Sequence, residues 1–249
     1  MPGSRTKPRE SDRPELRTAE AFSRVEIQCA GRRLDARTFP PPVQGPRGAA
    51  VLFIHGWESS QDSYRARAER VSGERGATSL AFDLSGHGES GNQPDSFTLR
   101  DHLTDSIAAF DYLAASSSVD DRRIGVCGAS YGGYLAASLI EHRPVKGLLL
   151  RAPALYADSA LDLAAEARRP EPDAPHGAIP LRNLSDFDRP TLIVESEKDE
   201  VIPRSVIDSY LDASPSPSHA VLKHARHALT DPRWDEAFIQ LLVEWSRAL

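Results

Sequence analysis

Two kinds of apolar pattern divide the chain. Over 22–28 and 33–39 apolar and polar residues alternate about Ala30-Gly31, which predicts an antiparallel hairpin. The runs at 49–54, 77–82, 123–127, 145–150 and 191–194 are apolar without alternation, as strands covered on both faces are, and a shorter strand is predicted at 219–222. Between them lie segments with helical spacing. One is 64–75, closed at Gly76; another is 98–115, with Leu99, Leu103, Ile107, Phe110 and Leu113 on one face and Asp101 and Asp105 turned outward. Further helices are predicted at 134–141, at 205–211, and at 234–245, where Phe238, Leu241, Leu242 and Trp245 fall at i, i+3, i+4 and i+7. Strands alternating with helices predict an α/β protein with a mostly parallel central sheet flanked by helices, led by the hairpin.

Two stretches break this rhythm. Residues 152–189 hold an Ala/Asp/Glu/Arg-rich piece and then Pro170, Pro172, Pro175 and Pro180; so long an excursion in a compact chain is expected to be a short cap insertion over the site, the alternative being a disordered surface insertion. Residues 1–20 carry Arg, Lys, Pro, Glu and Ser with hardly an apolar side chain. They are expected to form a flexible tail and lack the apolar core of a signal peptide, leaving 21–249 as the folded domain.

Composition narrows the partners. With a net charge of -6 the chain has no basic excess to track a phosphate backbone, so nucleic acid is excluded as a partner. No stretch is apolar for long enough to cross a bilayer. The two cysteines, Cys29 and Cys127, fit neither a metal spacing nor a disulfide framework and are expected to be buried thiols, in keeping with a cytoplasmic location.

The chemistry concentrates at Gly128-Ala129-Ser130-Tyr131-Gly132, a G-x-S-x-G sequence between an apolar run and a helical one. A serine on so tight a strand-to-helix turn needs neighbours without bulk two residues away on each side, and Gly128 and Gly132 stand there. The turn puts the Tyr131 N–H at a helix N-terminus, where an oxyanion would be stabilised. A serine hydroxyl also needs a base to take its proton, and that imidazole needs a carboxylate to hold its tautomer. Downstream, the carboxylates at a strand end are Glu195, Glu197 and Asp199; the histidines in a matching turn are His224 and His227.

At these segments the sequence resembles the α/β-hydrolase family. In that family an aspartate and Val-x-Pro follow the strand, which Asp199, Val201 and Pro203 match, so the resemblance implies Asp199 as the acid. It implies His227 as the base, since His227 is followed by Ala228-Leu229 and by Asp231-Pro232 as a helix start, whereas His224 stands where the family has glycine. His55-Gly56-Trp57 is similar to the family's oxyanion loop, so the Trp57 N–H would join that of Tyr131 as a donor. The segment 83–90 is similar to the family's D-x-x-G-H-G-x-S loop and reads as scaffold, with His87 structural.

The resemblance implies a serine hydrolase that cleaves carboxylic esters or thioesters of small to medium acyl groups through an acyl-enzyme, with no metal or organic cofactor. The expected partner is a small-molecule ester. Trp57, Tyr156 and Glu195 are expected at its binding pocket, where Glu195 would repel anionic acyl groups. The same triad serves peptidases, amidases and lactonases, and a ligand-binding module that has lost turnover is the alternative from a different class.

Overall fold

The computed structural model describes residues 22–43, 45, 47–163 and 177–249. The expected tail at 1–20 and the middle of the expected cap, 164–176, lie outside them. Strands β1 (Ser23–Cys29) and β2 (Arg32–Phe39) form the hairpin. Ala30 and Gly31 join them at φ 47° and 78°, and two left-handed residues in succession make the tight turn whose twist suits paired strands.

Six further strands follow: β3 (Gly48–Ile54), β4 (Thr78–Phe82), β5 (Val119–Ala129), β6 (Gly147–Arg151), β7 (Thr191–Ser196) and β8 (Pro217–Leu222). They form one eight-stranded sheet in the order β1-β2-β4-β3-β5-β6-β7-β8. Strand β2 runs antiparallel to both neighbours, and every other pair is parallel.

The helices are α1 (Arg65–Arg75), α2 (Leu99–Ala114), α3 (Tyr131–Leu139), α4 (Ile179–Ser185), α5 (Arg204–Ala213) and α6 (Pro232–Trp245). Side chains of α1 and α6 pack on one face of the sheet, those of α2 to α5 on the other. This explains the unalternating strands. In β3, Ala50, Leu52 and Ile54 enter one core while Val51 and Phe53 enter the second, so both faces must be apolar. Among the described residues, no helix is long and apolar enough to cross a membrane.

Local signals set several boundaries. Gly76 ends α1 at φ 64°, a conformation that glycine adopts at little steric cost. Thr98 caps α2 and forms a reciprocal pair with Asp101, and Asp231 caps α6 ahead of Pro232.

Two expectations are corrected. Helix α3 starts at Tyr131 and not at 134, because Gly132 and Gly133, poor helix formers, are held there by packing. Asp105 is not turned outward. It is fully buried, accepting from Arg32 Nη2 at 3.0 Å and from the Ser85 N–H at 2.9 Å. The hairpin brings Arg32 over α2, and helical spacing alone does not reveal a partner 73 residues away.

Of the insertion, 152–163 and 177–189 are described. Asp158 accepts the Ile179 N–H at 2.8 Å and so ties its two ends together. Leu181 and Leu184 of α4 are buried, and Asn183 donates to the carbonyls of Ala137 and Ser138 at the end of α3, both at 3.3 Å.

Candidate active site

Strand β5 ends at Ala129, and Ser130 follows at φ 52°, ψ −118°, a conformation that costs about 1–3 kcal/mol for a residue with a side chain. The surroundings hold it. The Ser130 N–H donates to the Arg151 carbonyl at 2.9 Å, and the Ser130 carbonyl accepts from Gly133 and Ala154, each at 2.9 Å. A side chain at Gly132 would strike the carbonyls of Ile54 and His55, and one at Gly128 would strike the Gly132 carbonyl. The glycines therefore let α3 lie directly against the ends of β3 and β5. The Tyr131 N–H lies in the first turn of α3, at the positive end of the helix dipole.

The loop after β3 abuts the same serine: a Cβ built on Gly56 would lie 3.6 Å from Ser130 Cβ. His55 locks that loop. Its Nδ1 donates to the Gly56 carbonyl at 2.8 Å and its Nε2 accepts from the Leu84 N–H at 3.1 Å. Burial pushes the His55 imidazole down to about 3, so it stays neutral and can do both. The Trp57 ring packs edge-on to His87 at 4.9 Å and to Tyr131 at 5.2 Å, and it lines the pocket as well. Tyr131 is buried, its hydroxyl 2.7 Å from His102 Nδ1. His102 Nε2 lies 2.9 Å from the Ser85 carbonyl and donates to it, so Nδ1 accepts from Tyr131. Asp83 anchors the 83–90 segment by accepting the N–H groups of Gln61 at 2.7 Å and Glu89 at 2.9 Å.

Asp199 follows β7, and its carboxylate accepts from His227 Nδ1 at 2.9 and 3.0 Å. It also accepts the N–H groups of Val201 at 2.9 Å and Ile202 at 2.8 Å. Burial pushes this carboxyl up, but the hydrogen bonds from His227, Ile202 and Val201 outweigh it and hold the group below the usual carboxylate range. The two rival acids are engaged elsewhere. Glu197 takes the Lys223 ammonium at 3.2 Å and the His224 N–H at 2.7 Å. Glu195 takes Arg204 at 2.6 Å and His219 at 3.0 Å. His224 adopts φ 63°, the left-handed conformation for which glycine would be the ready choice, and its side chain is 82% exposed, away from this pair.

Ser130 and His227 line one cavity of about 430 Å³, with Gly56, Trp57, Tyr64 and Arg151 among its walls. No hydrogen bond joins Ser130 Oγ to the imidazole among the described residues, as is common before substrate closes the geometry. Tyr156 is buried edge-on to Tyr131 at 6.0 Å and to Tyr134 at 5.2 Å, and neither it nor Glu195 lines this cavity. The described parts of the insertion do not line it either. A larger hollow of about 830 Å³ opens between β8 and α6, away from Ser130.

Arg151 is the residue that sequence reasoning passed over. It ends β6, is 7% exposed, and donates from Nη1 to the His227 carbonyl at 2.8 Å, so it steadies the histidine turn. The available signal was a charge directly after Leu148-Leu149-Leu150, at the strand end where sites gather in parallel sheets. Among the described residues, no group of three or more His, Cys, Asp or Glu is gathered as a metal ion would need.

A strand-to-helix serine, a facing glycine loop and an aspartate-bound histidine at one end of a mostly parallel sheet define an α/β hydrolase. Residues 45–171, slightly more than half of the chain, match the family model described as serine aminopeptidase, S33, and the chain belongs to this α/β-hydrolase family. It is 34% identical over 116 residues to a multifunctional-autoprocessing repeats-in-toxin of Vibrio cholerae, covering 45% of this chain and 2% of that protein. It is 32% identical over 113 residues to the uncharacterized protein YcjY of Escherichia coli, covering 44% of this chain and 37% of that one. The matches thus span well under half of these curated relatives.

Among solved structures, a bacterial heroin esterase superposes with a TM-score of 0.71 at 20% identity, covering 92% of this chain and 84% of that one. Est1E of Butyrivibrio proteoclasticus, bound to ferulic acid, gives 0.72 at 20% identity over 89% of this chain and 97% of its own. At such identities the likeness is one of fold.

Proposed function

We propose that the chain is a serine hydrolase cleaving carboxylic esters or thioesters of small to medium acyl groups through an acyl-enzyme. Ser130 Oγ attacks the carbonyl carbon while its proton passes to His227 Nε2. The Trp57 and Tyr131 N–H groups stabilise the oxyanion as it forms. Collapse of the tetrahedral intermediate breaks the bond to the leaving oxygen or sulfur, which takes the proton from His227. Water then gives its proton to His227 and attacks the acyl carbon, and release of the acid restores the Ser130 hydroxyl. Asp199 holds His227 in the tautomer that leaves Nε2 free to act.

The observation that carries this reading is that the strained Ser130 and the Asp199-bound His227 line a single cavity. The test is covalent. Wild-type protein should turn over 4-nitrophenyl butyrate and gain the mass of one fluorophosphonate adduct, and Ser130→Ala should lose both. Turnover or labelling that survives this substitution refutes the nucleophile. The family description favours a second reading, a peptidase using the same residues. Faster cleavage of aminoacyl 4-nitroanilides than of 4-nitrophenyl esters would select it.

A further inference from the structure

A buried cation ordinarily comes with a counter-charge, because removing a guanidinium from water without one is costly. Arg151 has none. Its protein hydrogen bonds, to the His227 carbonyl at 2.8 Å and Ser196 Oγ at 3.5 Å, both leave from Nη1 and both reach neutral oxygens. Its Nε and Nη2 have no hydrogen-bond partner among the described residues, yet they are not among the polar atoms sealed from solvent, and the residue lines the cavity that holds Ser130.

The described neighbours put no anion in contact with it. Burial pushes the Cys127 thiol up to about 12 and the Tyr64 phenol far up, so both stay neutral. Arg67 is itself a cation, already held by Asp235 at 2.7 Å. Asp199 attracts Arg151 only from beyond ion-pair distance, its oxygens being occupied as acceptors by His227 and two backbone N–H groups, so the Nε–Nη2 edge has no direct carboxylate partner among the described residues.

We propose that Arg151 is a substrate anchor, and that the pocket takes acyl compounds bearing a carboxylate that reaches its Nε–Nη2 edge. This rests on the hydrolase reading and narrows its substrate class. Two parallel N–H donors match the two oxygens of a carboxylate. One guanidinium balances one such charge, whereas a phosphate, at about −1.5 to −2, would leave uncompensated charge beside Asp199 and Asp235. Glu195, the acid that would have repelled such a group, is outside the cavity and bound to Arg204. A site with an unmet buried donor discriminates strongly against ligands that cannot meet it.

The test compares 4-nitrophenyl hemisuccinate with 4-nitrophenyl butyrate. Wild-type kcat/KM should favour the hemisuccinate about tenfold or more, Arg151→Gln should bring the ratio to one or below, and Arg151→Lys should keep part of it. The ratio separates anchoring from the support that Arg151 gives to the His227 turn. Wild-type preference for the neutral ester, a ratio unmoved by Arg151→Gln, or preference for the 4-nitrophenyl ester of 3-phosphonopropionate would each overturn the assignment. Calorimetry on Ser130→Ala, comparing monomethyl succinate with methyl butyrate, needs neither turnover nor a folded Arg151 variant. Stronger binding of the acid is expected, and equal binding refutes the anchor. A protein that binds monomethyl succinate but cleaves neither ester keeps the anchor and loses the hydrolase reading; one that cleaves butyrate without favouring hemisuccinate does the reverse.

Discussion

His227 Nδ1 lies 2.9 and 3.0 Å from the two carboxylate oxygens of Asp199, residues 28 positions apart that the β7 and β8 ends bring face to face. The carboxylate is anchored in turn by the Val201 and Ile202 N–H groups, so the imidazole is oriented by backbone and not by a flexible surface acid.

Asp199→Asn keeps the shape but loses the charge that orients the ring, so ester turnover should fall about 10⁴-fold in kcat. Stability carries a pH signature. A carboxyl held below its usual range in the folded state contributes stability that is present above the unfolded pKa of about 3.9 and is lost as pH falls through the lower folded value. Urea midpoints of wild type and Asp199→Asn should therefore differ near neutrality and converge below about pH 4. A gap that widens on acidification would contradict this.

His55 should contribute to the response to mild acid. Its folded imidazole resists protonation down to about 3, whereas the unfolded one takes a proton near pH 6.5, so between these values the unfolded state binds more protons. Stability is thus full above about pH 6.5 and declines as pH drops toward the folded value. Denaturant titrations across that range should show the decline in wild type and a shallower one in His55→Gln; parallel curves would refute it.

Asp105→Ala removes the acid that pairs buried with Arg32 and accepts the Ser85 N–H. Breaking one side of such a pair should cost about 2–4 kcal/mol, the lower end reflecting the partial exposure of Arg32 and its second acid, Asp101. Urea unfolding measures it, and a loss under about 0.5 kcal/mol, ordinary for a surface site, would show that the pair carries little.

Gly132→Ala drives a methyl group into the Ile54 and His55 carbonyls, which belong to backbone and cannot swing aside. Stability should drop by about 1–3 kcal/mol and turnover should fall with it, because the collision displaces the Ser130 turn from the Gly56 loop. An alanine variant with unchanged melting and full turnover would show that the close approach is not needed.

The amino-acid order alone determined what depends on near neighbours. The two-residue turn at Ala30-Gly31, the end of α1 at Gly76, the capping of α2 and α6, and strands apolar on both faces all follow from backbone preference and periodicity within a few residues. So does the Ser130 elbow, since its glycines and flanking strand are local. The partners of charged side chains were decided only in three dimensions. Asp105 looks solvent-facing on a helical wheel, yet Arg32 crosses over it; Glu195, Glu197 and Asp199 are alike by residue type at one strand end, and only the family resemblance pointed to Asp199, which meets His227 while the other two meet basic side chains. Arg151 became visible as a buried charge beside the Ser130 cavity only once β6 and the His227 turn were brought together. Periodicity records which side of an element is buried; which charge meets which depends on strand order and on side chains tens of residues apart, and no local pattern encodes that.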